Sequence, residues 1–167
     1  MKIKDIALIG IMSATITAGK LALSFLPNVE VVTLLFILYT VSFGWKHALM
    51  AAIIFSTTEI FIYGFYTWLL GYFLIWPLLI FIVEISKRKI KTEYFYASIA
   101  GIFGLSFGFF FAIIESFFYG ISYGFAYWIR GIPFDIVHGF SNFIIVLLLY
   151  KPLKKVLLRL NKNKYSH

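Results

Sequence analysis

Cysteine is absent from this 167-residue chain, which excludes disulfides and thiolate metal sites but names no compartment. Charge is scarce: Asp, Glu, Lys and Arg make up 13% of residues, against roughly 25% in soluble domains. Acids are fewer still, 7 against 15 bases, giving a formal net charge of +8. No Walker A segment, H-E-x-x-H or G-x-G-x-x-G occurs, so the chain has no recognisable means of hydrolysing a nucleotide. No cofactor and no metal are expected. What fills the chain instead is apolar: 62% of residues, with a mean hydropathy of +0.93. That composition predicts an all-α membrane protein, read as a single integral membrane domain over 1–167.

Six apolar spans are predicted, at about 5–26, 29–44, 48–64, 71–86, 94–118 and 133–151, with a basic tail over 152–167. The second and fourth are short for a hydrocarbon core of ~30 Å, which calls for kinks or added loop residues. The connectors are Pro27-Asn28, Gly44 to His47, Phe65 to Leu70, Lys87 to Glu93, and Tyr119 to Gly131. The first span has the outline of a signal peptide, but it lacks an A-x-A site and stays apolar to Leu26. It is therefore read as a true helix.

Lys and Arg set the expected topology. With both termini inside, Lys2, Lys4, Lys46, Lys87, Arg88, Lys89, Lys91, Lys151, Lys154, Lys155, Arg159, Lys162 and Lys164 all fall on the cytoplasmic side. That is 13 of 15, with Lys20 and Arg130 outside, and it predicts a six-helix, N-in/C-in protein. These charges then face anionic lipid head groups, and nucleic acid is not expected as a partner.

The polar residues are few enough to weigh one by one. Pro133 suits the first turn of a helix on which Asp135, His138 and Asn142 stand at i, i+3 and i+7, sharing a face with Gly139. Ile132, Phe134, Ile136, Val137 and Phe140 take the other side. A carboxylate, an imidazole and an amide in one stripe of an apolar helix are costly unless they line a cavity or meet partners. The stripe is read as one wall of an outward-facing pocket for a small molecule. Glu30, Glu59 and Glu115 join Asp135 in the outer half, against only Lys20 and Arg130. Glu59 is followed by Tyr63 and Tyr66, Glu115 by Tyr119, and Asn28-Val-Glu30 opens the second helix. Singly, Glu59 or Asp135 reads equally as a structural partner of Lys20 or Arg130. Together the acids exceed what two cations neutralise. Most outer aromatics form an interfacial belt; Trp68, Tyr119 and Trp128 are the candidates for stacking on a ligand ring. The surplus acids, with Arg130, His138 and Asn142, suit a polar heterocycle able to donate hydrogen bonds.

Gly10, Ala14, Ala18 and Ala22 recur every four residues on the first helix and permit close approach of another helix, either within the bundle or from a separate membrane subunit. Gly104, Gly108 and Ala112 form a similar ladder, read as internal packing. Gly120-Ile-Ser122-Tyr-Gly124 satisfies G-x-S-x-G, with Asp135 and His138 downstream, but no strand precedes it as a nucleophile elbow requires. An intramembrane serine hydrolase using Ser122 is the weaker alternative, and the chain is not expected to be an enzyme.

Three stretches give this layout a likeness. Ala14-x-x-x-Ala18 on the first helix, Leu26-Pro-Asn-Val-Glu30 in the first loop, and Trp-Ile-Arg-Gly-Ile-Pro-Phe-Asp over 128–135 resemble the S-components of energy-coupling factor transporters, the bacterial membrane subunits that capture vitamins and related micronutrients. The resemblance implies a multi-pass protein of the bacterial cell membrane. It implies that Ala14 and Ala18 contact a transmembrane coupling subunit driven by two cytoplasmic ATPases, and that Pro27 to Glu30 gate the substrate. It further implies a pocket lined by helices four to six and nearby loops, and transport by toppling. The substrate does not carry over. A small ion-coupled carrier is the alternative function.

Overall fold

The computed structural model describes residues 2–87 and 92–165, with side chains through Arg159. Arg88, Lys89 and Lys91 lie outside the described residues, as do the side chains of Lys162 and Lys164. Among the described residues every regular element is a helix and none is a strand: α1 (Ile3–Ala22), α2 (Val32–Phe43), α3 (Trp45–Tyr63), α4 (Thr67–Ser86), α5 (Glu93–Leu105), α6 (Phe107–Tyr119) and α7 (Ile121–Tyr165). Four stretches are long and apolar enough to cross a membrane: α1, α4, α5 with α6, and Ile121–Arg159 within α7. The outside is greasy, with Ile3, Phe61, Ile85, Phe117 and Phe140 exposed, while Glu59, Asp135, His138 and Asn142 are buried. Such an inverted surface belongs to a protein whose solvent is lipid.

The bundle is organised around its shortest helix. Twelve residues of α2 rise only about 18 Å. Nine of those twelve are buried, and α1, α3, α4, α5 and α7 all pack against it. A helix apolar all round belongs in the interior, and one shielded from lipid need not match the bilayer's thickness. An aromatic cluster ties it to its neighbours: Phe36 lies 5.2 Å from Trp76, Phe55 stacks on Tyr72 at 5.9 Å, and Trp76 meets Phe107 at 5.7 Å.

Several expected boundaries move. Gly44, at φ 88°, makes the joint between α2 and α3 alone, because the left-handed backbone that turns the chain there costs only a residue with a Cβ. The fourth span starts at Thr67 rather than 71. The fifth is broken at Ser106 into α5 and α6. The largest correction is in the last span. Tyr119 to Gly131 is not a loop: after Gly120 (φ 89°) the chain is helical from Ile121. Pro133 therefore stands inside α7, where its missing N–H leaves the Ile129 carbonyl without a helical partner. Within the basic tail, α7 continues through Pro152 to Tyr165.

The glycine ladder packs internally. A Cβ on Gly104 would lie 2.8 Å from Gly139 Cα, and one on Gly139 would lie 2.8 Å from the Gly101 carbonyl oxygen. α5 and α7 thus touch backbone to backbone, which only small residues permit.

Candidate functional site

The break at Ser106 makes the first feature of the site. In an unbroken helix the Gly108 N–H would donate to the Gly104 carbonyl. Instead it donates to Asp135 Oδ1 of α7 at 2.9 Å. Glycine at 108 leaves room for this approach, since a Cβ there would press on the Asp135 carboxylate. Asp135 is 7% exposed, and its Oδ2 is buried with no hydrogen-bond partner among the described residues.

Asp135 belongs to the wall of a cavity of about 650 Å³, within the range of small-molecule sites. α7 supplies Tyr123, Ala126, Tyr127, Arg130, Gly131, Phe134 and Asp135; their spacing of three and four residues makes a single helical stripe. Trp68 and Tyr72 of α4, Phe107, Gly108 and Phe111 of α6, and Asn28 of the first loop complete it. The lining is mostly aromatic, with a carboxylate in the wall and exposed Arg130 unpaired among the described residues.

Beyond Asp135 the polar stripe is closed by the first loop. His138 Nε2 lies 3.2 Å from Glu30 Oε1, and Glu30 Oε2 accepts from the Thr33 backbone N–H at 2.9 Å, capping α2. Asn142 Nδ2 donates to Thr33 Oγ1 at 3.2 Å, and Ser141 Oγ donates to the Asn28 carbonyl at 3.0 Å. Asn28 itself is left-handed (φ 59°), a conformation asparagine tolerates better than most residues. The loop is thus latched onto α7 directly beside the cavity.

The expected site residues therefore divide. Asn28, Trp68, Arg130 and Asp135 share the cavity. Glu30, His138 and Asn142 form the loop latch instead. Glu59, 0% exposed, pairs with Lys20. The Lys20 ammonium also lies over Tyr63, Trp68 and Tyr72, so the pair stands behind two cavity rings. Glu115 accepts from Thr67 Oγ1 at 2.8 Å and ties α6 to α4. Tyr119 is exposed against Tyr123, and Trp128 packs on Phe109 and Phe125; neither is among the lining residues. Phe134, expected on the opposite face from Asp135, is half-exposed and lines the cavity. Tyr123 and Tyr127 went unseen because 119–131 reads as a loop, although the spacing continues unbroken from Tyr123 to Asn142. α7 also separates Ser122 from His138 by about 24 Å of helix rise, too far for a nucleophile and its base.

The latch carries a prediction. Asn142→Leu leaves the Thr33 hydroxyl buried and unpaired, and is expected to cost about 1–3 kcal/mol. It should also speed protease nicking between residues 23 and 31. Adding Thr33→Val should recover most of the loss, since both polar partners are then gone. Thermal unfolding in detergent and limited proteolysis read these outcomes; an Asn142→Leu protein as protected as wild type would remove the latch.

Fold and site together define an all-helical, membrane-type protein with an aromatic cavity, a buried carboxylate in its wall and a latched loop at its edge. Comparison with protein-family models, curated proteins and solved structures finds no match to this chain.

Proposed function

We propose that this protein is the substrate-capture membrane subunit of an energy-coupling factor type importer. In this reading it takes up a vitamin-like small molecule at the outer face of a bacterial cell membrane and delivers it through a coupling subunit and two cytoplasmic ATPases. It crosses the membrane six times, with both termini inside, as the Lys and Arg distribution favours. The observation that carries the reading is the cavity: about 650 Å³, aromatic, bounded by the first loop, and holding a buried carboxylate in a bundle where such a group is costly without a ligand to meet.

The first helix supports the docking half of the proposal. Gly10, Ala14, Ala18 and Ala22 are all exposed, and the buried side of α1 is Ile9, Met12, Ser13 and Ile16. The ladder therefore does no packing work within the chain, and small residues on a lipid-facing strip suit close approach by a second membrane protein. Ala14→Trp is expected to reduce co-purification with a coupling subunit by about tenfold, while the natively purified protein keeps a stoichiometric metabolite by mass spectrometry. Finding neither a retained molecule nor a coupling subunit would defeat the proposal.

The buried ionisable pairs Lys20–Glu59 and Glu30–His138 favour a second reading, an ion-coupled carrier, since such pairs serve as proton relays in membranes. Uptake by protein reconstituted without any ATPase would decide for it.

A further inference from the structure

Resting on the reading of this cavity as the capture site, we infer its substrate class. It takes a planar aromatic or heteroaromatic molecule carrying a positively charged N–H donor, held against Asp135, with an acidic or carbonyl acceptor at its far end reaching Arg130.

Asp135 has an unused valence. One carboxylate oxygen is satisfied by the Gly108 N–H at 2.9 Å; the other is buried without a partner. A buried, half-satisfied carboxylate in a cavity wall is relieved by an incoming donor, most strongly by a charged one. Arg130 does not fill this role. It makes no ion pair among the described residues, and it stands five residues earlier on α7, about 7.5 Å of helix rise away. One acceptor in the cavity wall and one exposed cation are thus left unneutralised, separated along α7 by about the length of a substituted six-membered ring.

The rest of the wall selects for flatness and positive charge. Trp68, Tyr72, Phe107, Phe111 and Tyr127 present ring faces and edges on which a planar ligand stacks, and ring faces attract cations. Trp68 and Tyr72 already flank one ammonium, that of Lys20. The other acids nearby are already partnered, Glu59 by Lys20, Glu30 by His138 and Glu115 by Thr67, which leaves Asp135 as the carboxylate in the lining. A purely anionic ligand would meet the Arg130 guanidinium but leave the Asp135 carboxylate in the wall without a donor.

Three small probes test this by tryptophan fluorescence on protein in lipid nanodiscs: benzamidine, its neutral isostere benzamide, and 4-amidinobenzoate. Benzamidine is expected to bind at least about tenfold tighter than benzamide, the effect of one charge-assisted hydrogen bond. Asp135→Asn should bring that ratio to about one, and Asp135→Glu should preserve most of it. 4-Amidinobenzoate should bind several-fold tighter than benzamidine, an advantage lost in Arg130→Gln. Equal binding of benzamidine and benzamide by the wild-type protein, or none by either, overturns the inference. That comparison needs no variant, so it decides even where Asp135→Asn fails to fold. A retained natural metabolite lacking a cationic N–H group would also overturn the substrate class while leaving the capture function intact.

Discussion

Lys20→Met is expected to destabilise the protein by about 3–5 kcal/mol, the cost of stripping one partner from a buried ion pair. Glu59 on α3 is 0% exposed and ion-paired with Lys20 of α1, while its other oxygen, Oε1, is already buried without a partner. With the ammonium gone, that carboxylate must take up a proton or draw water into the bundle. The loss extends to the Lys20 ammonium's contacts with the rings of Tyr63, Trp68 and Tyr72, at 4.6, 5.9 and 5.3 Å from their centroids. Desolvated contacts of this kind are worth up to about 2 kcal/mol. The double variant Lys20→Met with Glu59→Leu should recover much of the deficit, because an apolar pair of similar volume leaves no orphaned charge. Thermal unfolding of the four proteins in one detergent completes the cycle. A single variant within about 1 kcal/mol of wild type would show that the pair contributes little to holding α1 on α3.

Gly104→Val should be strongly damaging. Its Cβ would fall 2.8 Å from Gly139 Cα and 2.9 Å from Gly139 N, atoms of α7's backbone that no rotamer change can move. Overpacking against flexible side chains costs about 1–3 kcal/mol; against backbone the helices must separate, and more is lost. Separation of α5 from α7 would also pull Gly108 from Asp135 and open the cavity wall, so probe binding should disappear along with stability. Two glycines bracket the effect. Gly101→Ala, whose Cβ would come 3.3 Å from the Phe143 Cβ, is expected to be milder. Gly10→Ala meets nothing within 4 Å and should be neutral or slightly stabilising through helix propensity. If all three variants melt together, backbone contact is not what holds this crossing.

Much of the site was legible as chemistry and illegible as geometry. Asp135, His138 and Asn142 share a face because helical spacing dictates it, and burial puts that face inside. Spacing does not say what stands opposite. Asp135 meets a helix break and a cavity, while three and seven residues on, His138 meets Glu30 of the first loop and Asn142 meets Thr33 in the first turn of α2. Glu59 and Glu115 were equally conspicuous as acids in apolar helices, yet each is held by a neighbour from another helix, Lys20 or Thr67. The cavity aromatics of α7 were missed for a local reason. Glycine, serine and proline between 120 and 133 read as loop chemistry, whereas the segment is helical and packs on α6, where Gly124 meets Ser116 and Ala112 and Trp128 meets Phe109.

Composition and the length of the continuous apolar runs made this a helical, membrane-type chain, because such runs satisfy their backbone within themselves as helices, whereas membrane strands are short and alternate in polarity. Periodicity alone placed the polar residues on shared faces. Which of them are free to meet a ligand was decided by the fold, at the Ser106 break, at the glycine contact between α5 and α7, and at the latch of residues 28–33. Each depends on two segments far apart in the chain, and a pattern within one helix cannot encode the identity of its neighbour.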